Sequence, residues 1–162
     1  MRKIILFFQA VLLAIWLGGM FLFSMVLAPT AFAVLPTRDL AGLMVGTTLQ
    51  KVNIISCSCI VLLVLLTLLS FVLKKKRPRL HRHILIVFAL ISLSIALYAG
   101  LGIDPRMHTL RTRIQTFSNQ MPDDPLRLEF DRLHRRSVNL FGINLVLGVL
   151  ILGLWVKDLE SD

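Results

Sequence analysis

Four apolar runs, at residues 4–27, 52–73, 84–103 and 137–156, constrain this chain more than any motif in it. Each reaches about the 20 residues a helix needs to cross a ~30 Å hydrocarbon core. Inside lipid every backbone N–H and C=O must be bonded within its own segment, so runs of this length are helices. The expected fold is therefore all-α: one integral membrane domain over residues 1–162, built as a four-helix transmembrane bundle. A long helical hairpin at 104–136 is expected to project between the third and fourth spans. A hydrophobic content of 56% and a mean hydropathy of +0.79 place the chain in the same class.

The first run is longer than the ~7–15 residues of a signal-peptide core, so it is expected to stay as a span. Ala10, Ala14 and Gly18 recur at four-residue spacing along it, the pattern of a close helix-packing seam. Trp16, in mid-span, is expected to pack inside the bundle, with ligand contact as the alternative reading. Pro29 and Pro36 bracket a short connection that is expected to end this helix, since each lacks a backbone donor. A second helix then runs from about Asp39 to Leu73. Its first part, with Gly42 and Gly46 as packing residues, lies beyond the hydrocarbon or packs against the hairpin. Asn53 and Ser56 read as interhelical hydrogen-bonding residues, and Cys57 and Cys59 as small apolar packers that cannot bridge each other at i, i+2.

Lys74, Lys75, Lys76, Arg77, Arg79 and Arg82 crowd one short loop directly after the second span. That density makes the loop cytoplasmic by the positive-inside rule and suits it to anionic lipid headgroups. Both termini are then cytoplasmic, with the inner or plasma membrane of a bacterium the expected location. The formal charge of +9 is accounted for by the membrane surface, and no nucleic-acid partner is expected.

Between the third and fourth spans the chemistry concentrates. On a helix, Asp104, His108, Arg111 and Gln115 share one face, and so do His134, Ser137, Phe141 and Asn144. The turn joining them falls at 118–125, where Asp124-Pro125 offers a cap followed by proline at the first helical position. With Met121 at the tip, His108 and His134 come level. Asp104, His108, Arg111, His134 and Ser137 are expected to converge at the outer mouth of the bundle, with Asn144 one to two turns deeper. His108 and His134 form a candidate metal pair, although two histidines supply only half a coordination sphere and a third ligand must come from Asp104, Asp131 or water. No Ser-His-Asp set, phosphate loop or paired-cysteine motif assigns a catalytic residue.

Trp16, Gly18-Gly19, Ala28-Pro29 and Phe32, then Pro105-x-Met107-x-x-Leu110-Arg111, then Phe130-x-x-Leu133-His134-x-x-Ser137-x-Asn139-Leu140 resemble the transmembrane protein 205-like family, a domain of unknown function. The resemblance spans nearly the whole chain. It implies a small four-helix membrane protein whose vertebrate member is associated with platinum-drug resistance, distantly similar to the copper-resistance D and membrane protoporphyrinogen-oxidase-like group. None of the four histidines here lies mid-span, where an embedded haem would find axial ligands, so no cofactor is expected. Three functions stay open: small-solute or metal transport and resistance, a non-enzymatic accessory or assembly role in which the hairpin binds another membrane protein, and a metal- or haem-linked membrane enzyme; the small residues leave a homo-oligomer open as well. Against transport stands the lack of Asp, Glu, Lys or Arg within the second, third and fourth runs.

Overall fold

The computed structural model describes residues 2–73, 80–114 and 124–160. These residues are helical almost throughout and contain no strand. Helix α1 (Arg2–Leu22) passes through a π-helical turn (Phe23–Leu27) into α2 (Ala28–Val34), and the chain reverses into α3 (Arg38–Leu73). Helix α4 (Leu80–Tyr98) likewise passes through a π-helical turn (Ala99–Ile103) into α5 (Asp104–Ile114), and α6 (Pro125–Glu160) closes the bundle. Four continuous helical columns result, each long and apolar enough to cross a membrane.

The two prolines explain the two π turns. Pro29 and Pro105 lack the N–H that an α-helix would bond one turn back. The preceding wide turn takes up the mismatch, with the Ala28 N–H donating to the Phe23 carbonyl and the Asp104 N–H donating to the Ala99 carbonyl. The expectation that Pro29 ends the first helix is thus corrected. The column continues to Val34 and stops at Leu35, whose extended backbone is what a residue before Pro36 adopts. Thr37 then accepts the Leu40 N–H at 3.2 Å to start α3, and Asp124 accepts the Leu126 N–H at 2.8 Å to start α6. The Asp124-Pro125 start is as expected.

The halves α1–α3 and α4–α6 repeat one plan. Gln9, Leu13, Trp16 and Met20 are buried in the first column, and Leu85, Ala89, Ser92 and Ala96 are buried at the same separation of 76 residues (85 minus 9, 96 minus 20) in the third. The π turns keep that separation too (99 minus 23). Such parallel duplication places two equivalent hairpins side by side.

The seam in the first column follows those four residues and not the small-residue stripe. Ala14 is exposed, Ala10 and Gly18 are half-buried, and a Cβ added at Gly18 would meet nothing within 4 Å. The packing expectation for Ala10, Ala14 and Gly18 is therefore corrected: bulky side chains knit this bundle, with Leu13, Trp16, Met20, Ile60, Leu63 and Ile151 at its centre. Trp16 is inside as expected, 1% exposed, and its indole N–H has no partner among the described residues. Cys59 belongs to this core and both cysteines are free thiols.

Polar side chains tie the columns together. Asn53 donates to the Ala96 carbonyl at 3.0 Å, one turn before the second π turn. It comes so close that a Cβ at Gly100 would lie 2.6 Å from its amide nitrogen. Ser92 donates to Asn144 between the third and fourth columns. Toward the basic-loop end Gln9 donates to Thr67 at 3.1 Å and accepts from the Trp155 indole at 3.1 Å. At that end Arg82 grips Asp158 through Nε at 2.7 Å and Nη2 at 2.6 Å, and His81 adds a third contact at 2.9 Å.

Arg82 is thus withdrawn from headgroup contact. It is buried and neutralised across 76 residues of sequence. Lys74, Lys75, Lys76, Arg77 and Arg79 lie outside the described residues.

Candidate functional site

The columns run 32 to 35 residues, about 50 Å at 1.5 Å per residue, so they outreach a ~30 Å hydrocarbon core. The excess forms a second tier at the hairpin end. It has its own small apolar core of Ile103, Leu110, Ile114, Phe130 and Leu133, which locks α5 against the start of α6. With the 3.6-residue period, that leaves the polar stripe of each arm facing the first turns of α3.

Between these three walls lies a cavity of about 250 Å³. Helix α5 contributes Asp104, Met107, His108 and Arg111; α6 contributes Arg127, Phe130, Asp131, His134 and Ser137; α3 contributes Asp39, Gly42, Gly46 and Gln50, among others. The five residues expected to converge, Asp104, His108, Arg111, His134 and Ser137, therefore line one compartment. Asn144 is not among its walls. It lies deeper, buried and bonded by Ser92.

Arg111 organises the compartment. Its guanidinium rests on Gly42, where a Cβ would stand 2.8 Å from Nη2, so only glycine lets it approach α3 this closely. Asp39, one turn before Gly42, is its electrostatic counterpart. The guanidinium carbon lies 5.5 Å from the Phe130 ring centroid, within cation–π range. The Phe130 and His134 rings are parallel to within 5° at 6.2 Å, so an Arg–Phe–His stack runs along the wall. Gly46, by contrast, faces open space within the cavity.

Two features stand out for what they lack. Ser137 is only 4% exposed, yet among the described residues its hydroxyl makes no hydrogen bond, although helical serines elsewhere in the chain, such as Ser56, Ser58 and Ser94, bond back to a carbonyl. Asp104 and Asp131 have no ion pair among the described residues, whereas Asp39, Arg111 and Arg127 are engaged. Asp104 caps nothing, since the helix runs through it.

His108 and His134 are exposed on opposite arms of the same cavity. Among the described residues no three His, Cys, Asp or Glu side chains are grouped to hold one metal ion. A third protein ligand beside the two histidines is therefore not in place.

The α3 wall is legible in the sequence only in part: its first turns, with Gly42 and Gly46, read as a segment that can pack against the hairpin, whereas nothing there marks Asp39 or Gln50, or Arg127 and Phe130 on the α6 wall, as site residues.

Four membrane-length helices with a polar-floored cavity at one end define a multi-pass α-helical membrane protein. The chain belongs to the family described as Domain of unknown function (DUF4149), whose model matches residues 11–116. That stretch includes the α3 and α5 walls of the cavity and stops before the α6 wall. No curated protein and no solved structure matches this chain.

Proposed function

We propose that this protein binds a small solute at the membrane surface through the cavity between α3, α5 and α6, in the service of transport or resistance. The observation that carries this reading is a compartment of about 250 Å³ with largely apolar walls and a few converging polar groups, including Ser137, a residue 4% exposed whose hydroxyl makes no hydrogen bond among the described residues. Its deepest lining residues, Gln50, Asp104 and Ser137, coincide with the ends of the apolar runs at 52, 103 and 137. That coincidence supports a cavity at headgroup level. Below it the bundle is filled by side chains such as Trp16, Ile60 and Ile151, each at most 1% exposed, so the arrangement is that of a binder and not an open channel. The resemblance to the transmembrane protein 205-like family, with its resistance-associated member, supports the same reading.

Gly46→Leu tests it, because an added Cβ meets nothing within 4 Å there and a leucine at this lining position takes up space in the cavity. Native mass spectrometry of the protein from gentle detergent should show a small-molecule adduct on the wild type and none on Gly46→Leu. Identical spectra would remove the support.

The accessory reading draws on a different surface, the exposed Arg113, Arg132, Arg135 and Arg136 with Glu129 on the outer faces of the hairpin. If that surface is the working one, Gly46→Leu leaves function intact and reversing those arginine charges abolishes it.

A further inference from the structure

The charges lining the cavity are not balanced in place. Three arginines, Arg38, Arg111 and Arg127, and three aspartates, Asp39, Asp104 and Asp131, take part in its walls. Arg111 is spent: Asp39 offsets its charge and Phe130 covers its face. Arg127 is also engaged within the protein, and Arg38 is exposed on the first turn of α3, at the rim. The carboxylates of Asp104 and Asp131 keep no ion pair among the described residues. Asp104 is the deeper of the two by position, half-buried at the floor where water screens it least. An uncompensated carboxylate in such a place is costly unless it takes up a proton or a cation meets it.

Size and walls supply the rest of the ligand. At about 250 Å³ the cavity falls just below the ~300–1,000 Å³ of pockets that swallow a drug-sized molecule. It therefore holds a head and leaves a tail outside. Phe32 and Leu43, both exposed and both on its lining, make an apolar exit at the level of the lipid surface. Inside, the hydroxyl of Ser137, a residue 4% exposed, is an unused acceptor among the described residues.

From these observations we infer that the cavity takes an ammonium head carried on an apolar body, with Asp104 as its counter-charge, Ser137 and Asp131 as further acceptors, and the body leaving past Phe32 and Leu43. The inference rests on the cavity-binding reading above and specifies its ligand. The ammonium can belong to a free amphipathic amine or to a phosphatidylethanolamine headgroup, which share this chemistry.

The experiment uses the full chain in phosphatidylcholine nanodiscs, with empty discs as the blank, and equilibrium dialysis of three probes of equal length: hexylammonium, hexanol and hexanoate. Hexylammonium should bind saturably and more tightly than the other two. Asp104→Asn, which keeps size and shape, should weaken hexylammonium about tenfold or more while leaving hexanol binding unchanged and without lowering the melting temperature. Gly46→Leu should abolish binding of every probe. Tighter binding of hexanoate, or an unchanged hexylammonium affinity in Asp104→Asn, overturns the ammonium assignment. If hexanol and hexanoate bind saturably and lose binding in Gly46→Leu while hexylammonium does not bind, the cavity reading stands and this inference falls. If no probe binds saturably, both fall. Replacing part of the phosphatidylcholine by phosphatidylethanolamine distinguishes the sources: competition against hexylammonium assigns the lipid headgroup, and unchanged affinity assigns the free amine.

Discussion

Replacing Asp158 by asparagine leaves Arg82 buried opposite a neutral amide. In the native pair the guanidinium donates two bonds, at 2.7 and 2.6 Å, to the two carboxylate oxygens, and the side chains are only 9% and 12% exposed. The amide carbonyl can accept one of these bonds, but the NH₂ beside it then faces a second donor. Removing one member of a buried pair costs about 3–5 kcal/mol, and the retained bond places this variant near the low end, about 3 kcal/mol. At roughly 2–4 °C per kcal/mol for a chain of this size, the melting temperature in detergent should fall by about 6–12 °C. The double variant Arg82→Met with Asp158→Leu removes both charges and fills similar volume, so it should recover most of the loss. A single-variant shift below about 2 °C would show that the pair is solvated and does not hold the third column to the fourth. An equal loss in the double variant would show that shape, and not the uncompensated charge, sets the cost.

Gly100→Ala should destabilise the wild type by about 1 kcal/mol, because its Cβ displaces the Asn53 amide from the Ala96 carbonyl. In an Asn53→Ala background the same change should become neutral or stabilising through alanine's higher helix propensity, and thermal melts of the four variants read the reversal of sign. Orientation is tested with single cysteines introduced at 75 and 123 in a Cys57→Ala, Cys59→Ala background. A membrane-impermeant maleimide added to intact cells should modify position 123 and spare position 75, and the opposite pattern would invert the topology.

The membrane class and the four columns were legible because the bilayer dictates a minimum apolar length and the chain meets it four times. The convergence of Asp104, His108, Arg111, His134 and Ser137 was legible for a related reason: helical periodicity fixes the face, and a hairpin fixes the level. What the sequence concealed is tertiary. Nothing local says that Gly42 makes room for Arg111, or that Asp39 balances it, because α3 meets α5 only after the bundle assembles. Arg82 looked like one more charge in a basic run because its partner lies at the far end of α6. Pro29 looked like a stop because a π turn is written in no residue type, and the Ala10–Ala14–Gly18 stripe misled because small residues mark a seam only when a neighbouring helix chooses that face.

The cavity itself is tested most directly by the thiol reactivity of Ser137→Cys with Cys57 and Cys59 replaced by alanine. At 4% exposure this position is reachable only through the space that α3, α5 and α6 enclose. Methyl methanethiosulfonate should modify it readily, and both Gly46→Leu and saturating hexylammonium should slow the reaction about tenfold or more. A rate untouched by either would contradict a solute-binding compartment at this end of the bundle.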